Sequence, residues 1–257
     1  MAPDVNLSGE TFTTDGKNIR FGLLAIKNVG RNFVKAVIAA REKSKFKSFD
    51  DFVGRMIESD INKRTVESLI KCGVFDSLGV TRNSLLSCYE SIIDSEHDKV
   101  RSNISGQLDL FSVGSSDVST SYSYPDLPEF PLRELLLLEK ESSGLYFSGH
   151  LIDSYSKHIA DIPHDKISEI LESLSEEDAE TSQKYKDRSK VNVVGIITSK
   201  KTKIVKNGDT MAFITLDDGY GEIEVIVFAK SYKQYSDILL TETAVAVNAT
   251  ISTEEGE

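Results

Sequence analysis

The sequence predicts a multidomain α + β chain, with a helical region first and a small antiparallel β-barrel last. Through residue 100, apolar residues recur at helical spacing, punctuated by capping residues. From Val191 the period changes to two, with glycine turns between the alternating runs. Between these regions, residues 102–130 hold eight serines in 29 positions, a composition poor in core-forming residues. The 257 residues are 39% hydrophobic and 28% charged, which suits a soluble globular chain of one large or two ordinary domains.

The helical elements follow in order. Val34, Val37 and Ile38 give Arg31 to Lys43 an apolar stripe. Ser48 followed by Asp51 resembles a capping box, opening a helix through Ile57. Asn62 caps a helix through Cys72, with Gly73 as its terminator, and Thr81 caps the next. Pro131 starts a helix that runs to Ser143 and stops at Gly144. Ile167, Ile170, Leu171 and Leu174 mark one more. The expected divisions are 1–101 (helical), 102–130 (flexible linker), 131–189 (helical connector) and 190–257 (barrel).

In the barrel, Val191–Thr198, Thr210–Leu216 and Glu222–Phe228 read as strands, with turns at Lys206–Asp209 and Asp217–Gly221. A helix at Ser231–Leu240 and a fourth strand at Thr243–Ser252 follow. Three strands, a helix and a strand open an OB-type five-stranded barrel whose last strand is truncated. On the third strand, Ile223, Val225 and Val227 are expected to face the core.

Net charge is −11, which argues against a generally basic nucleic-acid binder. Yet Lys17 to Lys71 holds thirteen Lys/Arg against six Asp/Glu, a net of +7, leaving −18 on the rest. That asymmetry suits one local anionic partner, or an ordinary solvated helix surface. No apolar run reaches the roughly 20 residues of a bilayer span, and no signal peptide opens the chain. Cys72 and Cys88 form no disulfide framework, so a reduced cytoplasmic protein is expected. There is no Walker loop, dinucleotide fingerprint or metal-ligand spacing. Asp217-Asp218 sits where a turn wants Asp. No cofactor, metal or catalytic residue is expected of this chain alone.

Three candidate binding features remain. The first is the hairpin Leu23 to Gly30, leading into a basic helix. Backbone N–H groups at that helix start, with Lys27, Arg31 and Lys35 around them, form a duplex-phosphate site. Gly30 permits a positive φ and Asn28 tolerates one. A plain αα-hairpin with a glycine turn accounts for the same residues. The second is Gln107-Leu108-Asp109-Leu110-Phe111, an apolar cluster in a polar segment. It suits insertion into a partner's groove, or folding back onto this chain's own core. The third is the barrel, where Lys201, Lys203 and Lys206 lie near Phe213 and Phe228, candidates for stacking unpaired bases. Glu222 and Glu224 on the same strand face oppose that use, and a structural or protein-docking barrel fits equally.

Taken together, these pieces resemble the bacterial replicative DNA polymerase III alpha-subunit family. Ile19-Arg-Phe-Gly-Leu-Leu-Ala-Ile-Lys-Asn-Val-Gly30 is similar to its helix-hairpin-helix segment. Asp4-Val-Asn-Leu-Ser8, Phe46-Lys-Ser-Phe-Asp-Asp-Phe52, Asn62-Lys-Arg64 and Gly73-Val-Phe-Asp-Ser-Leu-Gly79 keep the family's order. Gln107 to Phe111 resembles the family's sliding-clamp motif, and Met211–Asp218 with Gly221–Phe228 its OB domain. Asn28 departs from the usual hairpin glycine. The resemblance implies a C-terminal fragment whose partners are duplex DNA, single-stranded template and the clamp (beta subunit), with no membrane. It also implies that the palm aspartates and their Mg²⁺ lie in an absent part of a DNA-directed DNA polymerase, so that the fragment alone is no enzyme. The other reading is a stand-alone single-strand-binding OB protein with a helical extension.

Overall fold

A computed structural model describes residues 1–14, 16–59, 61–104, 122–175, 184–205 and 208–253. The chain forms two compact units, Met1–Ser148 and Gly149–Glu257.

In the first unit, two-residue strands β1 (Thr13–Thr14) and β2 (Ile19–Arg20) pair antiparallel. A 3-10 turn (Leu23–Ala25) leads to α1 (Arg31–Lys43), α2 (Phe49–Met56), α3 (Lys63–Lys71), α4 (Arg82–Ile104) and α5 (Leu132–Ser143). The expected N-caps form, although Asp51 accepts from Lys47 N (2.9 Å) and so does not complete a capping box with Ser48. Ser48 Oγ accepts from Asp51 N, Asn62 Oδ1 from Thr65 N and Thr81 Oγ1 from Ser84 N. Each satisfies an amide that its own helix cannot. Gly73 and Gly144, with φ of 77° and 82°, end α3 and α5 in the left-handed conformation that only glycine adopts freely. The core is a phenylalanine cluster. Phe52 meets Phe75 edge-on at 4.8 Å and Phe46 at 5.2 Å, and Phe49 meets Phe75 at 5.1 Å.

Two expected divisions change. Residues 122–130, read as part of a flexible linker, are an ordered strap along the start of α4. Thr81 Oγ1 donates to Leu127 O (3.0 Å), Asn83 Nδ2 to Pro128 O (2.8 Å) and Ser84 Oγ to Pro125 O (2.6 Å). The Glu129 carboxylate accepts from the amides of Arg82 (2.8 Å) and Asn83 (3.3 Å). Serine and proline signalled a loop, and α4's hydroxyls and free amides order it. The connector 131–189 is shared between the units, because α5 belongs to the first. Its Glu139, fully buried, accepts from Arg82 Nη1 (2.8 Å), Phe147 N (2.6 Å) and Ser148 N (3.0 Å). The pentapeptide 107–111 lies outside the described residues.

The second unit opens with a 3-10 turn (Leu151–Tyr155), α6 (Ser156–Ile159) and α7 (Ile167–Ser175). Strands β3 (Lys190–Ile204), β4 (Thr210–Asp217), β5 (Glu222–Val227) and β6 (Ala244–Thr250) follow, with α8 (Ala229–Tyr235) before β6. They form an antiparallel sheet in the order β5-β4-β3-β6, four strands among the described residues. β3 is longer than expected. Its first half pairs with β6 and its second with β4, and its register with β4 shifts between Ile197 and Ser199. Such an irregularity bends a long strand, which lets β3 pair with β6 along its first half and with β4 along its second. Ile167 and Ile170 of α7 cover Val191, Val193, Ile197, Ala212, Ile214 and Leu216. Ile223, Val225 and Val227 pack on this core, as the alternation predicted. Among the described residues no helix is long and apolar enough to cross a membrane.

Candidate nucleic-acid interface

The turn between the 3-10 element and α1 reverses at Asn28, whose φ is 63°. Gly30, expected to permit a positive φ, sits at −87° and is the N-cap of α1. Asn28 thus takes the positive φ that it was expected to tolerate. The left-handed residue must come two positions earlier for the chain to enter the helix from an extended residue. No side chain caps α1, and its first intrahelical bond runs from Val34 N to Gly30 O (3.1 Å). The amides of Arg31, Asn32 and Phe33 therefore have no carbonyl within the helix. They border a cleft of about 410 Å³, lined by Asn28, Gly30, Arg31, Asn32, Asn62 and Thr65 among others. Its rim carries the positive end of a 13-residue helix.

The candidate cations divide. Arg31, 62% exposed, pairs with Glu10 at 2.7 Å. Lys35 is exposed one turn along the same helix face. Lys27 is placed elsewhere. Its Nζ donates to Glu141 O (2.7 Å) and its amide to Ser142 O (2.8 Å), so it caps the negative end of α5. Asn28 is gripped from α3. Thr65 Oγ1 donates to Asn28 O (2.7 Å), and Asn28 Nδ2 donates to Ser68 Oγ (2.9 Å). Sequence reading missed Glu10, Thr65 and Ser68. The one available signal was two hydroxyl residues at i and i+3 in a helix of otherwise apolar burial.

The barrel carries a second surface. Register fixes its rows on the face away from the core. Lys201 pairs with Phe213 and Phe213 with Ile226. One row toward the β3–β4 turn, Lys203 pairs with Met211, with Phe228 (67% exposed) just past the end of β5. One row the other way, Ser199 pairs with Thr215 and Thr215 with Glu224, and then Asp217 with Glu222. The face thus grades from lysine and aromatic at one end to carboxylate at the other. Rows on one face are about 6.6 Å apart, so Glu222 lies well away from Lys203. Lys206 lies outside the described residues.

Comparison with known proteins places these surfaces. Residues 1–85 match a family described as a helix-hairpin-helix motif, and residues 191–257 an OB-fold nucleic acid binding domain. DNA polymerase III subunit alpha of Saccharopolyspora erythraea is 37% identical over 265 aligned residues, covering 100% of this chain. Those of Borreliella burgdorferi and Bacillus subtilis are 34% and 31% identical, covering 96% and 93% of it. The chain belongs to the DNA polymerase III alpha-subunit family. It spans about a fifth of the length of these curated relatives, 20–21%.

Within this alpha-subunit segment, the helix-hairpin-helix match covers the Asn28 turn and the cleft, and the OB match covers the graded face. Asp217 and Asp218 serve their turn. Asp218 accepts from Ile167 N, Tyr220 N and Gly221 N, each at 2.9 Å, and Asp217 from Gly219 N at 2.7 Å. Among the described residues no group of three His, Cys, Asp or Glu could hold a metal ion.

Proposed function

We propose that this chain holds duplex DNA by its backbone and tethers a polymerase III alpha subunit to the sliding clamp, supporting processive synthesis in the cytoplasm. The observation that supports it most is the uncapped start of α1, opening on a cleft beside Arg31 and Lys35. Free amides at a helix N-terminus bind phosphate without reading bases, as processive synthesis requires. In this reading Asn28 and Gly30 shape the turn, Arg31 and Lys35 supply charge, and Lys27 supports the turn from α5. Gln107, Leu108, Asp109, Leu110 and Phe111 dock in a groove on the clamp. Tethering acts through effective concentration, so a modest peptide affinity suffices. Lys201, Lys203, Lys206, Phe213 and Phe228 bind the single-stranded template. Nucleotidyl transfer and its Mg²⁺ belong to other parts of the alpha subunit.

Two titrations test this. Arg31→Ala with Lys35→Ala should weaken binding to a short duplex and reduce the slope of log affinity against log salt by about two. Glu10→Gln, which removes the carboxylate competing for Arg31, should strengthen it. With labelled clamp, Gln107→Ala with Phe111→Ala should abolish binding and leave duplex affinity unchanged. Loss of both activities together, or neither, defeats the assignment. A preference for single strands that vanishes without residues 190–257 would favour the stand-alone OB reading.

A further inference from the structure

We infer that Thr65 and Ser68 of α3 are positioning residues for the phosphate at the hairpin. They hold Asn28 in the left-handed conformation that presents the amides of Arg31, Asn32 and Phe33 to the cleft. The inference rests on the reading that this hairpin takes a backbone phosphate, and it names what sets the geometry of that site.

The geometry is specific to one residue. Thr65 lies in the first turn of α3, where the carbonyl four residues earlier, that of Ile61, precedes the Asn62 cap and is outside the helix. Thr65 instead donates 37 positions away, to the carbonyl of Asn28. Ser68, one turn on, accepts from the side chain of that same residue. Both are buried, at 3% and 6% exposure, beside Val66, Leu69 and Ile70. The residue held by backbone and side chain together is the one with φ of 63°, on which the chain's entry into α1 depends. Thr65 is fixed in turn, because its own amide donates to the Asn62 cap (2.8 Å). Asn62, Thr65 and Asn28 thus form a chain of bonds along one wall of the cleft. A hairpin glycine would take the positive φ without strain. An asparagine there gains from being held, and α3 supplies the hold.

The two roles separate by salt dependence. Arg31 contributes charge, so its loss should lower the salt slope by about one. Thr65 contributes no charge, so its loss should weaken binding equally at low and high salt. The experiment is anisotropy titration of a labelled mixed-sequence duplex with the full chain across a salt series. Amide spectra and a melting curve for each variant accompany it. Thr65→Val is expected to lower affinity by up to about tenfold, the scale of one lost neutral hydrogen bond. Its salt slope should stay unchanged and the Arg31–Phe33 amide resonances should move. Thr65→Ser should restore affinity, and Ser68→Ala should show a smaller loss of the same kind. Wild-type affinity in Thr65→Val beside weakened Arg31→Ala would overturn the positioning role and leave the phosphate reading standing. Lost affinity that tracks a collapsed melting midpoint, without rescue by serine, would reduce Thr65 to a structural residue. Absence of salt-dependent duplex binding by the wild type would sink the phosphate reading itself.

Discussion

At the scale of single residues, burial decides what the thiols and the turn can do. Cys72 is fully buried, and burial pushes its thiol from an ordinary 9.0 up to about 12. The thiolate is the nucleophile, so Cys72 should resist alkylation at pH 8 until the protein unfolds. Cys88, only partly buried and also raised by burial, should react first. Mass spectrometry after timed iodoacetamide labelling checks the order. Equal rates would show that the Cys72 site opens readily. The sign for stability follows from linkage. An unfolded chain releases this proton near pH 9 and the folded one near 12, so the contribution is complete below pH 9 and declines above it. Much at this scale was legible in sequence. The caps Ser48, Asn62 and Thr81 were, because capping is local chemistry. Lys27 and Thr65 were not. Their partners, Glu141 and Asn28, lie 114 and 37 positions away, and nothing local announces them.

At the scale of elements, α5 depends on one buried ion pair. Arg82 and Glu139 meet at 2.8 Å with 3% and 0% of their side chains exposed. Glu139→Ala leaves Arg82 its Asp76 partner but strips the amides of Phe147 and Ser148 of their acceptor, and should cost about 2–4 kcal/mol. Asp76→Ala should cost much less, since Asp76 is half-exposed and water can replace it at Arg82. Urea melts of the two variants give the comparison. Similar losses would mean that the pair is not what seats α5. This dependence explains why α5 was legible as a helix but misassigned as connector. Pro131 and Gly144 mark the two ends of the helix, whereas membership of a unit is fixed by Arg82, 57 positions away. The strap repeats the lesson, because Pro125 and Pro128 read as loop until Ser84 Oγ and Asn83 Nδ2 meet their carbonyls.

At the scale of the whole molecule, the two units have separate cores with no residue in common among those described. The phenylalanine cluster closes within Met1–Ser148, and the α7–sheet core within Gly149–Glu257. The switch from helical to alternating period near Val191 was legible, but the boundary was not, since it falls inside a segment of helical composition. Separate cores predict separable activities. A chain ending at Ser148 should fold and keep the duplex affinity of the whole, because the Asn28 turn, α1, α3 and α5 all lie within it. A chain beginning at Gly149 should bind only single strands, and weakly. Joined, the two should favour a duplex with a single-stranded overhang. The second contact is then intramolecular, and such linkage raises avidity by roughly 10²-fold or more where the spacing permits. Titrating blunt and overhang duplexes with the intact chain, and with an equimolar mixture of the halves, separates linkage from simple addition. An overhang preference in the intact chain alone would assign the OB unit to the unpaired template. Equal binding of both substrates would leave the hairpin as the sole DNA contact and the graded barrel face to another partner.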